Sequence, residues 1–160
     1  MRIRRTKAEQ PPRLKLHAVD PDDLRVVAAA LASATVKRGD IGLDRKARRF
    51  AFVCNRFRWE DTEFPGDRGG SRIRAGVQFN DVENVSALGL ADADPETVLE
   101  LLNIEAEVTD PPAAVLELQF AGGAALKLDA GCIDVLVDDM GRAWYTPNRP
   151  SHETENGDGD

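Results

Sequence analysis

One pattern occurs twice in this chain. Leu14-Lys15-Leu16 leads into Asp20-Pro21-Asp22-Asp23-Leu24, and Leu88-Gly89-Leu90 leads, at the same spacing, into Asp94-Pro95-Glu96-Thr97-Val98. A repeated unit constrains architecture more strongly than any single segment does. Each copy reads as a short strand feeding a capped helix. In the first, Asp20 caps and Pro21 takes the first helical position, where its missing N–H goes unpaired anyway. Asp22 and Asp23 oppose the positive end of the helix dipole. Val19 and Leu24 occupy the two positions of a hydrophobic staple. Leu24, Val27, Ala28 and Leu31 then follow the i, i+3, i+4, i+7 spacing of one buried stripe. In the second copy Asp94 caps, Val98, Leu101 and Leu102 give a shorter stripe, and Asn103 stops the helix.

Strand patterns follow both copies. Ile41 to Asp44 is short, and Asp44-Arg45-Lys46-Ala47 reads as a hairpin loop. Arg49 to Phe57 carries apolar groups on both faces, as a central strand does. Glu60 to Ser71, with Pro65, Gly66, Gly69 and Gly70, is a long loop. Arg72 to Phe79 alternates, with Ile73, Ala75, Val77 and Phe79 inward and Arg72, Arg74 and Gln78 outward. Ile104 to Val108 alternates as well. Ala114 to Phe120 and Ala124 to Asp129 flank Gly122-Gly123, a hairpin signal. Cys132 to Asp138 gives a last strand. Short links make consecutive strands antiparallel. The expected fold is α+β, a tandem duplication of a β-α-β-β-β-β unit with mainly antiparallel sheet. Residues 13–146 would form one domain of two pseudo-repeats (13–80 and 84–139), between a disordered lead-in (1–12) and a disordered tail (147–160).

Charge is unevenly spread. The formal net charge of the 160 residues is -7. Residues 1–80 hold 18 Lys and Arg against 10 Asp and Glu, whereas 81–140 hold one Lys against 14 acids. Such asymmetry fits two halves that attract one another, within a molecule or between copies, or an anionic partner for the basic half. No apolar run approaches the ~20 residues that span a bilayer. The basic N-terminus is followed by no hydrophobic segment, so no secretory signal is expected. Cys54 and Cys132 lie in separate strands and read as free thiols in a cytoplasmic protein.

Catalytic motifs are scarce. His17 and His152 are the two histidines; His17 sits in a strand and His152 in the tail. Cys54, Cys132 and His17 do not make a zinc site. Gly69-Gly70-Ser71 lacks the lysine and the strand-to-helix setting of a phosphate loop. Asp134, Asp138 and Asp139 could hold a cation or exchange protons, but alternation with Ile133, Val135 and Val137 puts Asp134 and Asp138 on a solvated strand face. No metal, cofactor or catalytic residue is therefore expected.

The arginines carry the candidate site. Arg56 and Arg58 end one strand, and Arg72 and Arg74 begin the next. If those strands pair, four guanidinium groups converge beside Trp59. Arg56, Arg58, Trp59, Arg72 and Arg74 would then bind a phosphate, a carboxylate or a single-stranded nucleic acid. Alternatively, Glu60, Asp61, Glu63 and Asp67 of the loop neutralise them.

Asp20-Pro21-Asp22-Asp23-Leu24, Arg48-Arg49-Phe50-Ala51 and Asn55-Arg56-Phe57-Arg58-Trp59-Glu60 resemble a family of small alphaproteobacterial proteins of unknown function, domain of unknown function family 2948. The similarity continues through Arg74-Ala75-Gly76-Val77-Gln78-Phe79, Leu116 to Gly123 and Trp144 to His152. It implies a cytoplasmic bacterial protein and no particular activity. The expectation is a non-enzymatic protein-interaction or self-associating module, with a protein partner or a homo-oligomer and no membrane. Binding of nucleic acid or a phosphate ligand through the arginines, or an enzyme with an unrecognised pocket, are the alternatives.

Overall fold

A computed structural model describes residues 12–61, 69–90 and 94–150. Residues 1–11 of the expected lead-in (1–12), 62–68 of the long loop and 151–160 of the expected tail (147–160) lie outside these residues. The described chain holds one α-helix, α1 (Pro21–Leu31), and ten strands. The strands are β1 (Lys15–Ala18), β2 (Thr35–Lys37), β3 (Ile41–Asp44), β4 (Arg49–Phe57), β5 (Gly70–Asn80), β6 (Val82–Leu88), β7 (Val98–Val108), β8 (Ala114–Phe120), β9 (Ala125–Ala130) and β10 (Val135–Thr146). No described helix is long and apolar enough to cross a membrane.

All pairings are antiparallel. The hydrogen-bonded path runs β1-β10-β5-β4-β2-β7-β8-β9-β6, with β3 also beside β4. Two broad sheets, β1-β10-β5-β4-β3 and β7-β8-β9-β6, are thus joined through the three-residue strand β2. Their inward residues share one core, including Phe50, Phe52, Val77 and Phe79 from the first and Ile104, Leu116, Leu118 and Leu128 from the second. Alternation in β4, β5, β8 and β9 produces this inward set directly.

Helix α1 forms where its signals lie. Asp20 Oδ1 accepts from the Asp23 amide at 2.8 Å, and Leu24, Val27, Ala28 and Leu31 are buried as one stripe. Full burial of each of the leucine and valine side chains favours folding by about 1.5–3 kcal/mol. Asp23 in turn accepts from the Val19 amide at 3.0 Å. The Val19–Leu24 staple does not close, because Val19 stays 57 % exposed while Leu24 is buried. The Gly122-Gly123 hairpin also forms, with φ of +86° and +90° that suit glycine.

The second helix does not exist. Val98–Val108 is strand β7, so the second segment does not repeat the strand-then-helix of the first. Asp94-Pro95 makes a turn in its place, with the Thr97 amide bonded to the Asp94 carbonyl at 2.9 Å and the Glu96 amide to Asp94 Oδ1 at 2.8 Å. Of the expected stripe only Leu101 points inward: Val98 is 59 % and Leu102 39 % exposed. A bulge between Leu101 and Asn103 accommodates Leu102, so the inward positions run Leu99, Leu101 and then Ile104.

Candidate functional site

Strands β4 and β5 do pair as a hairpin, and their register separates the arginines. Arg56 stands opposite Ile73, whereas Arg72 stands opposite Phe57 and Arg74 opposite Asn55. Alternation sends Arg56 to the inner face and Arg72 and Arg74 to the outer face. The expected convergence of four guanidinium groups does not occur.

The inner pair is neutralised. Arg56 is fully buried and uses all five of its N–H donors. Nε and Nη2 donate to Asp139 at 2.8 and 2.9 Å. Nη2 and Nη1 donate to Glu60 at 2.7 and 3.1 Å, and Nη1 also reaches the Phe57 carbonyl at 3.3 Å. Asp139, equally buried, takes a third bond from the Leu14 amide at 2.8 Å, which ties the entry of β1 to β10. Burial alone would lower the Arg56 pKa, but the bonds to Asp139 and Glu60 outweigh it and raise it. Burial likewise works to raise the Glu60 carboxyl. The Arg56 bonds, a backbone hydrogen bond and the charges of Arg56 and Arg58 hold it below the usual value instead. Arg58 donates to Asp61 at 2.9 Å and to Ser71 Oγ at 2.8 Å, and Ser71 donates to Asp61 at 2.7 Å. Glu60 and Asp61 therefore answer Arg56 and Arg58, as the sequence allowed. Glu63 and Asp67 lie outside the described residues.

The outer face is different. Strand register lays its side chains in transverse rows. Phe57, Arg72 and Trp144 form one, and Thr35, Asn55, Arg74 and Met140 the next. Val53, Gly76 and Asp138 follow, then Gly42, Ala51, Gln78 and Leu136. The small residues Gly42, Ala51 and Gly76 leave an open groove of about 740 Å3 between them. Arg72 donates to the carbonyls of Asn55 at 2.9 Å and Ser33 at 3.4 Å. Burial pushes its pKa down, and the more distant Glu100 only partly counters that. Among the described residues, no carboxylate lies within ion-pair distance of Arg72 or Arg74. Aromatic rings supply the other contacts. Trp59 meets Phe57 edge to face at 4.7 Å and donates from Nε1 to the Ala32 carbonyl. The Arg72 and Arg149 guanidiniums stand 5.8 and 5.2 Å from the Phe57 ring centroid. Gly70 makes this possible, since a Cβ there would fall 2.4 Å from the Phe57 ring.

The second sheet has an outer face of opposite sign. Glu105, Glu117 and Lys127 form one row there, and Glu107, Val115 and Asp129 another. Four carboxylates thus face outward against a single ammonium.

Among the described residues no serine or cysteine is hydrogen-bonded to a histidine, and Asp61, which accepts from Ser71, is also held by Arg58. Ser71 pairs with Tyr145 at one end of β5–β10, while His17 sits opposite Leu136 and bonds Asp134 at 2.8 Å. Burial drives the Cys54 thiol up to about 12, so it is not a thiolate nucleophile at neutral pH. Both cysteines are free. Asp139 is consumed by Arg56, and the described residues contain no cluster of three metal-ligating side chains.

Residues 14–152, most of the chain, match the model of a family described as protein of unknown function, DUF2948. The chain belongs to the DUF2948 family. No curated protein and no solved structure matches this DUF2948 chain. Its Asn55–Glu60 segment holds the whole division in consecutive residues: Arg56 and Arg58 inward, Asn55 and Phe57 outward, and Trp59 over Phe57. Sequence reasoning missed Arg149, which stacks on Phe57 and Trp59, because no strand pattern surrounds it. It also missed Asp139 as the answer to Arg56; their separation of 83 residues leaves no local signal.

Proposed function

We propose that the protein is a non-enzymatic interaction module that self-associates. The basic end of one copy's first outer face, Arg72 and Arg74, meets the acidic outer face of another copy's second sheet, Glu105, Glu107, Glu117 and Asp129. The observation that supports this is a pair of like-charge clusters on two separate faces: Arg72 reaches carbonyls and a ring but no carboxylate, and the four carboxylates have one ammonium, Lys127, in their rows. Arg72 and Arg74 leave the same side of β5, and Glu105 stands directly opposite Glu117. Such neighbours destabilise a sheet locally. A second copy relieves both clusters at once. Copies that exchange this contact reciprocally form a closed dimer, and copies that do not form a ring or a filament. Free Cys54 and Cys132 suit a reducing bacterial cytoplasm as its setting.

Sedimentation equilibrium across protein concentration and salt tests this. The weight-average mass should rise with concentration and fall as salt screens the contact. Mass fixed at 17.5 kDa throughout would contradict it. Because Arg72 and Arg74 lack carboxylate partners among the described residues, a phosphate ligand or a nucleic acid is the second reading. Fluorescence anisotropy with a labelled single-stranded oligonucleotide tests it, and binding that weakens steeply with salt would favour it over self-association.

A further inference from the structure

A second cavity opens where β2 leaves β4. The two strands share one register position, Thr35 opposite Asn55, and then part. The resulting pocket holds about 130 Å3 and is lined by Thr35, Lys37, Asp40, Asn55 and Arg74, with Val36, Val53, Cys54 and Val98 as apolar wall. Thr35, Asn55 and Arg74 form one transverse row of the outer face, with adjacent side chains within about 5.5 Å at Cβ.

Three features of this pocket point to a ligand. Asn55 Oδ1 is buried and has no hydrogen-bond partner, an arrangement that costs stability unless a donor is supplied. Arg74, its neighbour in the row, is exposed and lacks a carboxylate partner among the described residues. Asp40 also lines the pocket and forms no ion pair with Arg74, and Lys37 is already held by Glu96 at 3.2 Å. The pocket therefore lacks a donor for Asn55 and Asp40 and an acceptor for Arg74. The volume equals that of about four waters, which suits a compact molecule.

We propose that this pocket binds a small zwitterion of the α-amino-acid class, its carboxylate on Arg74 and its ammonium on Asn55 Oδ1 and Asp40. A plain carboxylate satisfies Arg74 and leaves Asn55 unpaired beside a repelling Asp40. An α-hydroxy acid supplies a donor to Asn55 but no charge to Asp40. The α-amino acid answers all three. This goes beyond self-association, with which it shares Arg74, and adds Asn55 and Asp40.

Isothermal titration with each of the twenty standard L-amino acids, and with acetate and lactate as controls, tests the proposal at protein dilutions where sedimentation shows monomer. Its outcome is thus independent of assembly. At least one amino acid should bind at least tenfold more tightly than acetate and lactate. Arg74→Gln and Asn55→Leu should each weaken that binding tenfold or more, while circular dichroism stays unchanged for the exposed Arg74 variant. Asp40→Asn should weaken the amino acid and not acetate. Equal binding of acetate, or no binding by any amino acid at millimolar concentration, would overturn the proposal.

Discussion

Arg56 and Arg72 belong to one hairpin and carry the same charge, yet their surroundings give them opposite roles. Arg56 is desolvated and saturated by two carboxylates, and Arg72 reaches only carbonyls and a ring. Removing one partner of a buried pair leaves the other uncompensated. Arg56→Met should therefore destabilise by about 3–5 kcal/mol in urea unfolding, whereas exposed Arg74→Ala should stay within about 0.5 kcal/mol. Similar effects at the two positions would contradict the division of faces. Glu60 adds a pH signature. Its folded carboxyl titrates below the ordinary value of 4.5. Its contribution is thus complete above that pH and is lost as pH falls through the lower, folded value. The stability difference between wild type and Glu60→Gln should shrink as pH is lowered from 7 toward 3. A gap unchanged over that range would show that the Glu60 charge is not what Arg56 holds. Residue types made arginine the natural focus of the sequence, and alternation carried enough information to separate the two faces of β4. The buried partner Asp139 was beyond reach, since a contact across 83 residues is set by the register of β10 on β5 and not by local pattern.

At the scale of elements, the two Asp-Pro segments diverge for a physical reason. After Asp20-Pro21 come Leu24, Val27, Ala28 and Leu31 with alanines between them, and alanine favours helix. After Asp94-Pro95 come Val98, Leu99, Leu101 and Ile104, whose β-branched members suit a pleated surface. Asp-Pro supplies a first turn in both places, and the residues beyond it decide whether a helix grows. Substitution separates strand from helix cleanly here. Leu101 is fully buried and Leu102 is 39 % exposed on the bulge. Leu101→Ala should cost about 2–5 kcal/mol and Leu102→Ala less than about 1 kcal/mol. Equal costs in thermal or urea unfolding would restore the helical stripe that the sequence suggests. Most strands, α1 and the Gly122-Gly123 turn were legible because each carries its own period or turn chemistry. The bulge was not, because one inserted residue changes the parity of everything after it.

For the whole molecule, the uneven charge of the sequence becomes two outer faces. Arg72 and Arg74 stand at one end of the first, and Glu105, Glu107, Glu117 and Asp129 stand on the second. Within one copy these faces belong to different sheets of the same core, and in the proposed assembly a second copy brings them together. Charge exchange tests that relation most directly. Arg72→Glu with Arg74→Glu gives one variant, and Glu105→Lys with Glu117→Lys the other. Each alone sets like charges against like and should sediment as monomer at concentrations where wild type assembles. Mixed in equal amounts, the two variants present complementary faces again and should regain the higher mass. Two variants that remain monomeric when mixed, or that assemble as well as wild type when separate, would contradict the account.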